Sequence, residues 1–241
     1  TSRGLGDVYK RQPKKQPLND TNTHFINNLE WTIYPDGTVV CQSVLLPRGN
    51  PLELLRLGYE LQLPANMGNV TYYGRGPEEN YADRKSGMPL GVYKTTARDS
   101  FFPYGRPQDC GNHEDTRWVA VTDDKGQGLL FGSVGAPFAF SAIPYTTTDL
   151  ILANHPVELP KTTDKTVLVL SSATRGLGGA SCGPGPMSRD IIKANKPYPL
   201  SFFMRPVTSK SYKGEIRVPA AQLDMTMLTR TDTVSYTHLR A

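Results

Sequence analysis

Two adjacent carboxylates, Glu78 and Glu79, stand inside the chain's densest mixture of charge and glycine: Gly74-Arg75-Gly76-Pro77-Glu78-Glu79-Asn80-Tyr81-Ala82-Asp83-Arg84. Glycoside hydrolysis needs two carboxylates facing each other across ~5–10 Å. Consecutive residues on one helix do not face each other, so this pair fits that chemistry poorly. Nor is the run a dinucleotide-binding G-x-G-x-x-G, because Pro77 and Glu78 follow the second glycine and no βαβ unit surrounds it. The favoured reading is a structural loop locked by Arg75 and Arg84 pairing with Glu78, Glu79 and Asp83.

A second polar run extends from Pro103 to Trp118 and includes Asn112, His113 and Glu114. It reads as an irregular loop leading into a strand, and loops on a sandwich edge often carry binding groups. His113 is of the type to act as a base or ligand, but no second histidine stands at metal-ligand spacing. The others, His24, His155 and His238, are scattered singly. A third run, from Arg175 to Pro186, is so rich in Gly and Pro that it prescribes an irregular but stiff loop. It serves either a close approach to a ligand or a crossover between strands. The three cysteines, Cys41, Cys110 and Cys182, form no C-x-x-C and are odd in number. That excludes a disulfide framework and a zinc site and leaves small core thiols. No base lies within sequence reach to make a nucleophile of Cys182.

These loops must be held by strands. Leu29 to Tyr34 alternates apolar and polar, Pro35-Asp36-Gly37 turns, and Thr38 to Val44 returns as a hairpin arm. Arg117 to Thr122, a turn at Asp123 to Gly126, and Gly128 to Gly132 repeat the pattern. Phe138 to Ala142, Thr166 to Leu170 and Leu200 to Phe203 are further strands. Two short helices are expected. One runs from Glu78 to Arg84 behind Pro77; the other runs from Thr148 to Ala153 with Thr147 or Thr148 as cap. The expected fold is all-β, a large antiparallel sandwich. Residues 1–22 read as a linker or tail, 23–207 as the sandwich, and 208–241 as a C-terminal extension or the start of a further domain.

At 241 residues, with 38% hydrophobic and 20% charged residues, the composition is that of an ordinary globular chain. No apolar stretch approaches the ~18–20 residues of a membrane span. Net charge is +5, but the charges are mixed along the sequence, which gives no nucleic-acid footprint. The chain starts at Thr1 without Met and reads as a fragment, so no compartment is assigned.

Taken in order, the three runs resemble the C-terminal, small-chain β-sandwich region of glycoside hydrolase family 2 β-galactosidases. The resemblance rests on Gly74 to Arg84, Pro89-Leu90-Gly91 with Tyr93, Tyr104 to Gln108, Gly111 to Trp118, Phe138 to Ala142, Ala153 with His155, and Gly176 to Ser181. It covers about residues 23–207. It implies a galactose mutarotase-like supersandwich packed against a catalytic (β/α)₈ barrel. The retaining acid/base and nucleophile glutamates, and Mg or Na ions, belong to the rest of such an enzyme, so this chain alone is expected to be inactive. It also implies a β-galactoside substrate, the barrel as partner, and a homo-oligomer in the full-length protein. In many relatives the loop matching Gly178 to Gly183 carries a Trp on which the sugar or aglycone stacks; here Cys182 falls near that position. Gly179, Ser181, Cys182, Asn112 and His113 are therefore the expected substrate-binding positions, with no catalytic residue and no metal ligand in the chain. The alternatives are a stand-alone carbohydrate-binding sandwich and a mutarotase-like epimerase using His113 or His155 with Glu114 or Glu158.

Overall fold

A computed structural model describes residues 23–50, 53–179 and 183–208, together with the backbone of Thr233–Val234. The strands in chain order are β1 (His24–Ile33), β2 (Val39–Arg48), β3 (Arg56–Pro64), β4 (Asn69–Arg75), β5 (Leu90–Thr96), β6 (His113–Thr116), β7 (Trp118–Thr122), β8 (Gly128–Ser133), β9 (Phe138–Ile143), β10 (Lys165–Thr174), β11 (Tyr198–Val207) and β12 (Thr233–Val234). They form an eight-stranded sheet, β12-β1-β2-β11-β8-β7-β4-β5, and a four-stranded sheet, β3-β10-β9-β6. Every strand pairing is antiparallel. This is the expected all-β sandwich.

Period-two alternation decides which side chains meet between the sheets. One cross-strand row of the larger sheet joins Tyr72, Val119 and Phe131, and another joins Cys41 and Phe202. Leu57, Leu61, Phe140, Leu168 and Leu170 of the smaller sheet pack against them in one core cluster. Tyr72 meets Phe140 edge-on at 5.1 Å, and Trp31 meets Phe202 edge-on at 6.2 Å. The opposite face of the larger sheet is apolar too, with Val40, Trp118, Ala120, Leu130, Phe203 and Val207 forming a second buried cluster. There Gly132 has no side chain because the Phe203 ring occupies the space, leaving a Cβ only 2.2 Å from Phe203 Cε1. Both expected hairpins are present. The first closes with Asp36 accepting the Thr38 N–H at 2.9 Å and Gly37 at φ +82°, the conformation the Pro-Asp-Gly turn demands.

The helices differ from expectation. The second is present as α1 (Thr147–Leu152), one residue earlier, with Thr146 as N-cap in a capping box with Asp149. The first does not form: residues 76–84 are irregular, with turn geometry at Ala82–Asp83 between bridged Tyr81 and Arg84. Its side chains take the backbone groups a helix would use. Asn80 Nδ2 donates to the carbonyls of Arg75 and Glu78, both at 3.0 Å, and the Asn80 N–H is committed to the Asn112 carbonyl at 2.7 Å. Such side-chain competition is how Asn breaks helices. The expected irregular loop before Arg117 is also shorter, because His113–Thr116 pairs with β9. The tails at 1–22, 209–232 and 235–241 lie outside the described residues; β12 pairs with β1 through Trp31 and Thr32. No helix among the described residues is long and apolar enough to cross a membrane.

Candidate functional site

The three runs that stood out in sequence meet at one end of the sandwich. The loop after β4, the segment 109–117 around β6, and the loop after β10 are tied together by side chains. Glu79 Oε2 accepts the Gly111 N–H at 2.7 Å and the Tyr81 hydroxyl at 3.2 Å, while Oε1 accepts the Tyr104 hydroxyl. Burial, followed by the charge of Glu79, pushes the Tyr81 phenol upward, and Tyr104 rises to about 12 for the same two reasons joined by its hydrogen bond. Both tyrosines therefore act as donors throughout the physiological range.

Asn80 has no exposed surface and is the hub of the cluster. Beyond its two Nδ2 bonds, its Oδ1 accepts the Glu114 N–H at 2.8 Å and its carbonyl accepts Asn112 Nδ2 at 2.7 Å. Glu114 Oε1 in turn accepts the Thr174 hydroxyl at 2.5 Å, which brings in the end of β10. Asp115 sits at φ +52°, a left-handed conformation that Asp tolerates better than most residues. Its carboxylate accepts Arg75 Nε at 2.5 Å and Lys85 Nζ at 2.9 Å. Partial burial alone would raise the Asp115 carboxyl, but these two cations outweigh it and hold it below the usual range. The expected lock of the first loop thus exists with different partners: Arg75 reaches across to Asp115 instead of pairing with Glu78, Glu79 or Asp83. Asp83 turns the other way. Its carboxylate accepts the backbone N–H groups of Leu177 at 2.9 Å and Gly178 at 2.6 Å.

The expected substrate-binding positions divide into three groups. Asn112 and His113 are buried, at 2% and 4% exposure, beneath this cluster. The His113 ring lies between Tyr72 and Phe140, with centroids at 4.4 and 5.3 Å. His113 Nδ1 is 3.0 Å from the Arg75 carbonyl, which can only accept, so Nδ1 carries the hydrogen. Tyr72 lies 3.1 Å from the same nitrogen and donates to the Pro77 carbonyl at 3.2 Å. Burial lowers the His113 pKa to about 4, so the ring is neutral at pH 7. Asn112 Oδ1 is buried and has no partner among the described residues. Gly179 is exposed at the neck of the Gly-rich loop, where its N–H donates to the Pro184 carbonyl at 2.9 Å and its carbonyl accepts the Gly183 N–H. Ser181 and Cys182 lie outside the described residues.

The epimerase pairings are not assembled in one cleft. His113 and Glu114 are neighbours bonded to different partners, and His155 pairs with Glu158 at 2.8 Å on the surface. Cys41 and Cys110 are buried free thiols, each raised to about 12 by burial, which makes them inert at neutral pH. Among the described residues no three of His, Cys, Asp and Glu come together as a metal site needs. A cavity of about 410 Å³ lined by Lys94, Asp123, Asp124 and Lys125 lies at the Asn69 end of β4, the opposite end from Gly74. Sequence reasoning had no means of finding that Asn80 binds Asn112 and Glu114 or that Lys85 binds Asp115, because these partners lie 30 to 34 residues away.

A family model described as beta galactosidase small chain matches residues 8–204. Among characterised proteins, the chain is 43% identical over 147 residues to Beta-galactosidase BgaC of Bifidobacterium adolescentis, covering 60% of this chain and 14% of that protein. It is 34% identical over 179 residues to a beta-galactosidase of Priestia megaterium, covering 73% of this chain and 17% of that one. It is 40% identical over 132 residues to a beta-galactosidase small subunit of Latilactobacillus sakei, covering 51% of this chain and 41% of that protein. The chain thus spans less than a fifth of the length of the first two relatives.

Proposed function

The chain belongs to the beta galactosidase small chain family, and from that premise we propose that it is the β-sandwich part of a β-galactosidase that hydrolyses terminal non-reducing β-D-galactosides with retention. In this reading the sandwich supplies scaffold and one wall of the sugar pocket. The two reacting carboxyl groups, which a retaining enzyme holds ~5–5.5 Å apart, and the Mg and Na ions lie on a catalytic barrel outside this chain. The partners are that barrel, a β-galactoside and, in the whole enzyme, further copies of itself.

One observation carries the reading. The carboxylates of Glu79, Asp83, Glu114 and Asp115 are all engaged as acceptors from neighbouring loops. They build a loop platform in which these acids hold backbone and side-chain donors of neighbouring loops in place. A platform of this kind suits a wall that positions sugar, since a small misplacement of a substrate contact costs much of the rate.

The test is complementation. The purified chain alone should leave a chromogenic β-galactoside intact, and adding the barrel-bearing polypeptide should restore cleavage. Turnover by the chain alone, with host enzyme excluded, overturns the reading. Proton NMR of the first-formed galactose should show the β anomer; the α anomer would refute retention.

A further inference from the structure

The run between β5 and β6 has no regular structure and is pinned along its length. The Ser100 N–H donates to the Thr96 carbonyl at 2.9 Å, and the Phe101 N–H donates to the Arg98 carbonyl at 3.2 Å. The Phe102 backbone is hydrogen-bonded to the buried Cys110 thiol. The Tyr104 N–H donates back to the Phe102 carbonyl at 2.9 Å, and Pro103 between them has its φ fixed by its own ring. Further on, Asp109 holds the buried Arg56 guanidinium at 2.9 Å, and the Gly111 N–H donates to Glu79.

Three aromatic side chains lie close together in this run and are used differently. Phe101 meets Tyr145 edge-on at 4.8 Å and packs on a third buried cluster, formed by Cys110, Ile143, Leu150, Ala153 and Leu159. Tyr104 packs on the same cluster and donates its hydroxyl to Glu79. Phe102 turns outward and is 58% exposed. Its ring leans on Tyr104, with centroids 4.6 Å apart and planes at 50°. Among the described residues Phe102 is the only aromatic side chain left exposed. Its backbone is held, its ring is supported from one side, and its remaining surface covers nothing in the core clusters.

We propose that Phe102 is a specificity-determining contact whose free surface stacks on the leaving-group sugar of a β-galactoside. This rests on the reading of the loop end as a wall of the sugar pocket, which Tyr104 joins to Phe102 through Glu79. A pyranose carries hydroxyls around its edge and C–H groups on its faces, so a flat apolar ring covers one face and leaves the hydroxyls to polar neighbours. Arg106 and Gln108, both exposed, follow on the same run, and each is a planar donor suited to hydroxyl oxygens. An enzyme that removes a terminal galactosyl group takes that group innermost. A ring standing outside the Tyr104–Glu79 cluster therefore meets the remainder of the substrate.

The experiment uses the complete enzyme carrying this chain, with F102A, F102L and F102W. It reads the ratio of kcat/KM for lactose to that for methyl β-D-galactoside, which has no second ring. Loss of one stacking contact should lower that ratio roughly fivefold in F102A. F102L keeps apolar volume without a flat face and should fall with it, while F102W should stay within about twofold of wild type. A replacement that merely loosens the fold lowers both substrates alike and leaves the ratio in place. Hydrogen exchange followed by mass spectrometry, with and without the sulfur-linked analogue of lactose, separates the contact from the wall. Peptides spanning 76–84 and 100–112 should exchange more slowly when the sugar is bound. Shielded peptides with an unmoved ratio in F102A overturn the contact and leave the wall standing. A ratio kept in F102L but lost in F102A overturns stacking in favour of plain apolar cover. Peptides that the sugar does not shield bring down the wall reading and the proposal with it.

Discussion

The space between the two sheets and the loop cluster at their end are buried to the same degree and held by opposite means. Between the sheets, Phe131, Phe140, Phe202, Leu168 and Leu170 are at most 1% exposed and fill space by shape alone. At the loop end, Asn80, Asn112 and His113 are at most 4% exposed, yet each is polar and owes its place to bonds with named partners. A core of the first kind tolerates an exchange of one apolar group for another of similar volume. A cluster of the second kind does not, because each removed partner strands a buried donor or acceptor. The sandwich therefore supplies stability broadly, while the loop end supplies geometry at a few points.

Four measurements break or sharpen this contrast. Phe131→Ala in the core should be the costliest, about 3–5 kcal/mol by urea denaturation, because the ring is fully buried and the sheets cannot close over the gap. A loss below about 1 kcal/mol would mean that the core is not close-packed there. Next comes acid. The folded His113 pKa of about 4 lies below the ordinary 6.5, so the unfolded chain binds a proton that the fold refuses. Stability from this group is complete above about pH 6.5 and is lost as pH falls towards 4, roughly 3 kcal/mol in all. Asp83 and Asp115 are lowered carboxylates, so their contribution is present above the ordinary 3.8 and fades only further down. Urea midpoints at pH 7.5 and 4.5 should differ in wild type and differ less in His113→Phe; an equal slope in both would place the sensitivity elsewhere.

Asn80→Ala at the hub should cost about 2 kcal/mol, since it strands the Arg75 and Glu78 carbonyls and the Glu114 N–H together. If Asn80→Ala costs no more than an exposed alanine replacement, the polar cluster is ornamental and the contrast fails. The smallest effect belongs outside both regions. Thr146→Ala removes the side-chain half of the α1 capping box and should lower stability by about 1 kcal/mol with no change in the acid slope.

Much of the sandwich was legible because its signals are local. Trp31 and Val44 lie in a hairpin whose alternation and Pro-Asp-Gly turn can be read within sixteen residues of one another, and Trp118 to Gly132 is another. Strands β3, β4 and β5 were harder to read. Gly58, Gly74 and Gly91 interrupt them, and Arg56, Asn69 and Arg75 stand at their ends, so composition there resembles turns. The strands form because their neighbours supply the pairing, with β4 placed between β5 and β7. The expected helix at Glu78–Arg84 failed for the same kind of reason. The Asn80 side chain competes locally for the Arg75 and Glu78 carbonyls, and Asn112 and Gly111 reach the segment from 32 residues away.

What the chain determined unaided is the strand pattern and the three loops rich in chemistry, because period-two hydrophobicity and turn residues act over a few positions. The tertiary structure alone decided that those loops meet, that Arg75 pairs with Asp115, and that Asp83 holds Leu177 across 94 residues of sequence. A carboxylate has no local preference among distant donors. Its partner is whichever N–H or cation the packed sheets carry to within hydrogen-bond reach.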